Sequence, residues 1–157
     1  MAVHINDTHP ALCVPELMRL LVDQYEMGWD EAWDITCKCL SYTNHTVMAE
    51  ALEHWQIDLF REQLPRVYGI VREIDRRTRN QLQLAYPGDW AKIDYMAPIS
   101  GGEVRMANLC LAACHKVNGV SQLHTQILRD GIFQDYARLD ESRFINVTNG
   151  IAYRRWL

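Results

Sequence analysis

The chain has 157 residues, of which 48% are hydrophobic and 23% are charged, and this composition is typical of a folded globular domain rather than a disordered tail. Its formal net charge of -4 leaves no excess of basic side chains for the phosphates of a nucleic acid, which excludes that class of partner. The longest apolar run, Leu109 to Cys114, is far shorter than the roughly 20 residues of a membrane-spanning helix, so no membrane association is predicted.

The first forty residues predict one strand and two helices. Residues 2–6 alternate apolar and polar side chains and then meet a polar loop, which predicts a short strand with polar groups at its carboxyl end, a common place for chemistry in α/β proteins. Pro15 fits a first helical turn, and the leucines after it predict a helix that ends at Gly28. Asp30 is expected to cap a second helix that runs to about Leu40.

The middle of the chain predicts a polar loop and two further helices. Residues 42–46 break the apolar periodicity and predict the loop, whereas residues 49–60 have helical spacing. Residues 65–85 show the clearest amphipathic pattern, because apolar side chains lie on one face and arginines lie off it. Pro87-Gly88 predicts the end of this helix.

The last third of the chain predicts two helices and a strand. Ser100 and Glu103 have the spacing of a capping box, so a helix is expected from Glu103 to about Val117. Residues 121–129 predict another helix, and residues 143–148 alternate like a strand. Together these patterns predict an α/β fold in which helices predominate, in a single segment of residues 1–157.

Cysteine usage and the start of the chain indicate a reducing compartment. Five cysteines lie in apolar, helix-like stretches, and an odd number is not typical of a disulfide framework, so reduced and buried thiols are expected. Cys37 and Cys39 would point to different faces of a helix, which disfavours a shared metal ion. Residues 1–8 lack the basic and apolar regions of a secretory signal. We therefore expect a cytoplasmic protein with no bound metal.

Three polar loops carry the strongest functional signal. The sequence has no Walker loop, dinucleotide-binding glycine pattern, HExxH pair or nucleophile elbow. Residues 6–9, 42–46 and 146–150 instead offer amide, hydroxyl or imidazole groups, the inventory that satisfies the donors and acceptors of a sugar. Each loop alone is also typical of ordinary turns and caps, but the three together favour a carbohydrate ligand.

Motifs throughout the chain resemble those of the glycogen (α-1,4-glucan) phosphorylases. They are, in chain order, Ile5-Asn6-Asp7-Thr8-His9-Pro10, Tyr42-Thr43-Asn44-His45-Thr46-Val47, Glu50-Ala51-Leu52-Glu53-His54-Trp55, Tyr86-Pro87-Gly88-Asp89, His115-Lys116-Val117-Asn118-Gly119-Val120, Thr148-Asn149-Gly150-Ile151 and Arg154-Arg155-Trp156-Leu157. The chain is therefore similar to an internal part of such an enzyme, from the end of its N-terminal half. It departs from the family pattern at Met48-Ala49, in place of Leu-Pro, and at Ala152-Tyr153, in place of Thr-Pro.

The resemblance implies an activity for the parent enzyme. Such enzymes have a GT-B-type fold with two Rossmann-like domains and carry pyridoxal phosphate on a lysine of the C-terminal half, which lies outside this chain. They use inorganic phosphate to release glucose 1-phosphate from an α-1,4-glucan with retained configuration, and a homodimer is expected. The groups that bind the cofactor and the substrate phosphate cannot be assigned in this sequence, so the isolated chain is expected to be inactive.

The resemblance also assigns two residues to the sugar at the reacting centre. His45 matches the catalytic-site histidine whose side chain holds the sugar 6-hydroxyl and whose carbonyl faces the reacting centre. Asn149 matches the asparagine at the same hydroxyl. Asp7 and His9 match residues that line the neighbouring subsite.

Five further substrate-binding residues follow from the same resemblance. Glu53 and Asn44 are expected to border the same pocket. His115, Asn118 and Val120 match the segment that packs beneath the sugar, where Val120 is a wall and His115 is more typical of a structural hydrogen-bonding residue than of a catalyst.

Two other classes of protein remain open at this point. The first is a non-catalytic helical module that binds carbohydrate or regulates another protein. The second is a structural or redox-responsive helical protein that uses its cysteines, which accessible thiols would indicate.

Overall fold

The computed structural model describes residues 1–156, which form a four-stranded parallel sheet, a three-stranded antiparallel sheet and surrounding helices. In chain order the elements are β1 (Val3–Asn6), α1 (Cys13–Arg19), α2 (Trp29–Cys39), β2 (Leu40–Asn44), β3 (His54–Gln56), α3 (Ile57–Gln63), α4 (Pro65–Ala85), α5 (Trp90–Met96), β4 (Ile99–Ser100), β5 (Glu103–Arg105), α6 (Met106–Ala113), β6 (Lys116–Gly119), α7 (Gln122–Asp130), α8 (Gln134–Leu139), β7 (Phe144–Asn146) and α9 (Tyr153–Trp156). Helix α1 continues into a π-helical turn at Leu20–Gln24. The α/β class and the predominance of helices agree with the sequence prediction.

The parallel sheet has the strand order β1-β2-β6-β7. Ile5 lies beside Tyr42, Tyr42 beside Val117, and Val117 beside Phe144, so one row of apolar side chains crosses the buried face of the sheet. Helix α6 packs on β2, and helices α1, α4 and α6 contact one another behind it. This packing forms the hydrophobic core.

The opposite face of the sheet is polar. Successive side chains of a strand point to opposite faces, which places His4, Ser41, Thr43, Lys116 and Asn118 on the face that lines an open cleft. Parallel sheets are usually covered by helices on both faces and then read as apolar on both. The polar residues therefore mark this face as different from an ordinary core surface.

Helix α4 has the bounds that the sequence predicts, Pro65 to Ala85. Its apolar face is buried, with Pro65 in the first turn, where its missing N–H is tolerated, and with the buried residues Ile70, Val71, Ile74, Thr78 and Leu82. On its outer side, hydrogen bonds from Arg76 and Arg77 lower the pKa of Glu73 to about 2. The amphipathic pattern and the stop signal at Pro87-Gly88 were together sufficient to predict this element.

The predicted helix from Glu103 to Val117 is wrong at both ends. Strands β4 and β5 form a hairpin, and Gly101 (φ 59°) and Gly102 (φ 81°) are its two turn residues. Two consecutive positive φ angles define a tight hairpin turn that glycine accepts readily, so Ser100 and Glu103 face each other across the hairpin and form no capping box. Helix α6 occupies only Met106–Ala113, and Lys116–Gly119 form β6.

Three other predictions of local structure need correction. Residues 40–44 form β2 because they pair with β1 on one side and β6 on the other. Residues 49–60 contain a 3₁₀ turn, strand β3 and the start of α3 instead of one helix. Helix α2 begins at Trp29 with Gly28 at the N-cap position, and Asp30 pairs with Arg77 of α4 instead of capping the helix.

Gly119 is a position where a side chain has no room. A Cβ atom there would lie 2.8 Å from the Thr125 backbone N atom in α7. We expect Gly119→Ala to lower the free energy of unfolding by about 1–3 kcal/mol through overpacking, measured by urea denaturation. Gly69→Ala is the matched control, because nothing lies within 4 Å of a Cβ atom in the middle of α4, and alanine should there raise stability slightly. Equal stability of both variants would contradict the prediction.

Residues 1–156 contain neither a candidate membrane span nor a candidate metal site. No helix in this range is long and apolar enough to cross a membrane. The same residues contain no group of three His, Cys, Asp or Glu side chains arranged to hold a metal ion.

The five cysteines form no disulfide in the described structure. Burial raises the pKa of Cys13 to about 11 and that of Cys37 to about 12. Thiolate chemistry is therefore disfavoured at both.

Candidate functional site

The carboxyl ends of the four parallel strands bring three polar loops together. Strand β1 ends at Asn6, β2 at Asn44, β6 at Gly119 and β7 at Asn146. Asn6 at the end of β1, His45 after β2 and residues 147–150 after β7 border a cleft of about 510 Å³ that continues down the polar face of the sheet. The carboxyl edge of a parallel sheet is the usual place for a ligand in open α/β folds, so this cleft is the candidate site.

His45 is the first residue after β2 and lines the cleft with an exposed side chain. Its Nε2 atom lies 2.7 Å from Oδ1 of Asn6, at the end of the neighbouring strand β1. The imidazole is therefore attached to the sheet on one side and open to the cleft on the other. Sequence analysis singled out His45 but did not identify Asn6 as its partner.

Asn44 does not line the cleft, contrary to the expectation that it borders the pocket. Its side chain is fully buried, donates from Nδ2 to the Tyr42 hydroxyl (3.0 Å) and accepts at Oδ1 from the Thr46 N–H (2.9 Å). A buried asparagine whose polar atoms are occupied holds its own loop in place. Asn44 therefore affects a ligand indirectly, because it fixes the position of the His45 backbone.

His124, in α7, completes this buried network. Its Nε2 atom lies 3.2 Å from Oδ1 of Asn44, so His124 supports the same loop and is not a remote packing residue. Burial lowers the pKa of its imidazole below the ordinary 6.5, and a hydrogen bond to the Thr46 backbone partly opposes this shift.

We predict that His124 titrates with a midpoint below 6.5, as measured by NMR of its ring signals. The folded state then binds this proton more weakly than the unfolded chain, so the stability contributed by neutral His124 is complete above about pH 6.5 and is lost as the pH falls towards the lower folded pKa. Replacement by His124→Gln should reduce the slope of unfolding free energy against pH in that window. A midpoint at or above 6.5 would contradict this prediction.

Asn118 and the loop after β7 form the far wall of the cleft. The Asn118 side chain donates from Nδ2 to the Thr43 hydroxyl (3.1 Å) and accepts at Oδ1 from the Val147 N–H (2.6 Å). The Asn149 N–H donates to the carbonyl of Val120 at 3.0 Å. These bonds place the exposed Asn149 side chain at the rim of the cleft that His45 also lines, so two of the predicted residues do converge.

Asp7, His9 and Glu53 do not line this cleft, contrary to the expectation that Glu53 borders the same pocket. Asp7 has a positive φ of 61°, which turns the chain sharply after β1, and its carboxylate accepts a 2.6 Å hydrogen bond from the Thr8 N–H. The Thr8 hydroxyl donates to Glu53 at 2.8 Å. Glu53 also lines a second cavity of about 210 Å³, whereas His9 is exposed.

Comparison with known proteins identifies this arrangement. The family model described as Phosphorylase: Carbohydrate phosphorylase matches residues 1–157. The chain belongs to the carbohydrate phosphorylase family. It is 51% identical over 157 residues to the glycogen phosphorylase of Bacillus subtilis (strain 168) and 48% identical over 160 residues to the muscle form of Homo sapiens. Both alignments cover the whole chain but only 20% and 19% of the relative, so the chain spans about a fifth of their length.

His115 lies at the opposite end of β6 from the loop cluster of this phosphorylase segment. Its Nδ1 atom is 3.0 Å from the Cys37 carbonyl at the end of α2, which is the geometry of a structural hydrogen bond. The ring reaches only the amino-terminal end of the cleft, beside Lys116. The structure thus favours the structural interpretation of His115 that the sequence already indicated.

Several residues that line the phosphorylase cleft were missed by sequence analysis. Asn6 holds His45, and Thr43 accepts from Asn118 while it also contacts Nε2 of His4 at 2.5 Å. Nδ1 of His4 lies 2.8 Å from the Ser41 hydroxyl. The signal was present as alternate polar residues in β1 and β2, but it becomes readable only once both segments are known to be adjacent strands.

The residues present do not fit the pyridoxal phosphate site that the resemblance implies. Such a site needs a lysine free to form a Schiff base. Lys38 is paired with Asp34 (2.6 Å), Lys92 lies 3.5 Å from Asp135, and Lys116 donates to the Ser142 carbonyl (2.8 Å). Lys38 and Lys92 do not line the cleft, and Lys116 lies at its amino-terminal end, away from the loop cluster, with its Nζ bonded to a carbonyl.

Proposed function

We propose that the chain is the part of an α-1,4-glucan phosphorylase that holds the glucosyl unit at the reacting centre. The parent enzyme uses inorganic phosphate to cleave a terminal α-1,4 bond of glycogen, starch or maltodextrin. A phosphate oxygen replaces the glucan oxygen on the anomeric carbon, the bond from that carbon to the glucan oxygen breaks, and the freed glucan oxygen takes a proton. The product is glucose 1-phosphate with retained configuration.

The convergence of His45 and Asn149 on one cleft is the observation that carries this proposal. The imidazole of His45 and the amide of Asn149 bind the sugar 6-hydroxyl, which has both a donor and an acceptor to satisfy. The backbone of His45 faces the reacting carbon. Val120 does not line the cleft as the resemblance implies, but its carbonyl holds the backbone of Asn149. Orientation of a substrate by such groups lowers the barrier by placing the reacting atoms before the reaction begins.

The remaining predicted residues take supporting roles in this proposal. Asn118 and Asn44 position the two loops that carry Asn149 and His45. Asp7 and His9 border the neighbouring subsite, where polar side chains bind the hydroxyl groups of the next sugar. Glu53 lies outside the cleft and accepts from the Thr8 hydroxyl, which helps to hold the loop that carries Asp7 and His9.

The proposal extends to the parent protein as a whole. We propose a GT-B-type fold of two Rossmann-like domains, a cytoplasmic location and a homodimer. Pyridoxal phosphate on a lysine outside this chain supplies a phosphate group at the reacting centre.

The decisive experiment measures glucose 1-phosphate release from maltodextrin and inorganic phosphate by the full-length protein that carries this segment. Phosphate-dependent release supports the proposal. Binding of maltodextrin without release supports the alternative of a non-catalytic carbohydrate-binding module. Neither binding nor release would contradict both.

A further inference from the structure

Asn6 is the residue whose role the proposed function leaves unexplained. It is the last residue of β1, its side chain is exposed in the cleft, and Oδ1 lies 2.7 Å from Nε2 of His45. Its backbone is fixed by the parallel pairing with Thr43 of β2. Asn6 therefore presents its amide oxygen to the imidazole from a rigid strand, and not from a loop.

The protonation of the ring follows from this contact. A neutral imidazole has one N–H donor and one lone pair, and an amide oxygen is only an acceptor. The ring therefore donates from Nε2 to Asn6, which leaves the lone pair on Nδ1. In metal and catalytic sites the tautomer of a histidine is set in the same way, by the hydrogen bond of its other nitrogen.

We infer that Asn6 is a positioning residue that holds His45 with its hydrogen on Nε2 and thereby makes Nδ1 an obligatory acceptor for the ligand. This inference rests on the proposed function, because it takes the sugar at His45 as given. An obligatory acceptor at this point selects a hydroxyl group, which can donate. It rejects a methyl group, which leaves the lone pair unpaired, and a carboxylate, which has no hydrogen to donate at neutral pH.

The backbone of His45 is held independently of Asn6. Asn44 accepts from the Thr46 N–H on the buried side, so loss of the Asn6 side chain removes the restraint on the ring without removing the restraint on the loop. A change at Asn6 should therefore act on hydrogen bonding to the ligand more than on the fold. This separation makes the inference testable.

The test compares two sugar donors in the direction of glucan synthesis, with the full-length enzyme that carries this segment. Glucose 1-phosphate has the 6-hydroxyl, and 6-deoxyglucose 1-phosphate lacks it. We expect Asn6→Leu to lower kcat/KM for glucose 1-phosphate about fivefold to tenfold, the usual effect of losing one neutral hydrogen bond, and to leave kcat/KM for the deoxy donor nearly unchanged. The preference for the hydroxyl should fall by the same factor.

Two further variants separate positioning from a general structural role. Asn6→Asp keeps an acceptor of the same shape, so it should retain the preference for glucose 1-phosphate. Asn146 ends β7 at the same edge of the sheet, but its Nδ2 donates to the Gly119 carbonyl at 3.0 Å. Asn146→Leu should therefore lower the rate with both donors by the same factor.

The outcomes distinguish the inference from the proposed function. A wild-type enzyme with no preference between the two donors would overturn the sugar contact of His45 itself. A wild-type preference that survives unchanged in Asn6→Leu, or that is lost equally in Asn6→Asp, would overturn the role of Asn6 alone. If Asn6→Leu does not fold, nitrogen NMR of the wild-type imidazole decides: hydrogen on Nε2 supports the inference, and hydrogen on Nδ1 overturns it.

Discussion

A protein that consists of these 157 residues alone should release no glucose 1-phosphate and should form no Schiff base with pyridoxal phosphate. The structure supplies hydrogen-bonding groups for a sugar, but Lys38, Lys92 and Lys116 are engaged at separate places. The measurement adds pyridoxal phosphate, maltodextrin and inorganic phosphate to the chain and follows both product formation and pyridoxal absorbance after gel filtration.

A positive result in either assay would overturn the proposal that the groups that bind the cofactor and the substrate phosphate lie outside this chain. Phosphorolysis above the blank would mean that this chain holds the phosphate-binding groups itself. A pyridoxal absorbance band that remains with the protein would mean that one of the three lysines leaves its present partner. The full-length protein provides the positive control, because the same reagents should there give product.

In the full-length enzyme, His45→Ala and Asn149→Ala should each lower kcat/KM by roughly 5- to 150-fold. Removal of one partner from a buried polar contact raises the free energy of the transition state by about 1–3 kcal/mol. Because both residues are proposed to bind the same hydroxyl, the double variant should lose less than the sum of the two free energies. Steady-state kinetics together with thermal unfolding of each variant measures both effects.

The control for these variants has to come from outside the buried network. His124→Ala is unsuitable, because His124 contacts Asn44 behind the His45 loop. Asn80→Ala replaces an exposed asparagine of α4 and should leave the kinetics unchanged. Wild-type rates for both His45→Ala and Asn149→Ala in well-folded enzyme would refute the assignment of the site.

Sequence analysis succeeded where structure is determined locally. Helix α4 was predicted from Pro65 to about Ala85, as observed, because its apolar periodicity, Pro65 and Pro87-Gly88 all act within one segment. Strand β2 and the hairpin at Gly101-Gly102 were missed because both form only through pairing with neighbouring strands. Residues 40–44 become a strand only through pairing with β1 and β6, and two glycines after a serine are equally compatible with a helix entry and a hairpin turn.

The candidate site was predictable only in part, because local sequence patterns show its loops but not the contacts between them. Polar loops that follow strands are visible in the sequence, and His45 and Asn149 belong to them. The contact of Asn6 with His45 joins two strands 39 positions apart, and no local pattern predicts it. The burial of Asn44 is likewise a property of the packed fold, since asparagine at the end of a strand is more typical of an exposed turn.

The polar face of the parallel sheet has a consequence for the order of folding. Its hydroxyl, amide and imidazole groups bind one another across three strands, as in the contacts of Thr43 with His4 and Asn118. A face of this kind is stable against water, whereas an apolar face would require a second layer at once. The sheet and its helical core can therefore form before anything covers the polar face, and a ligand that binds there meets a surface already arranged for hydrogen bonding.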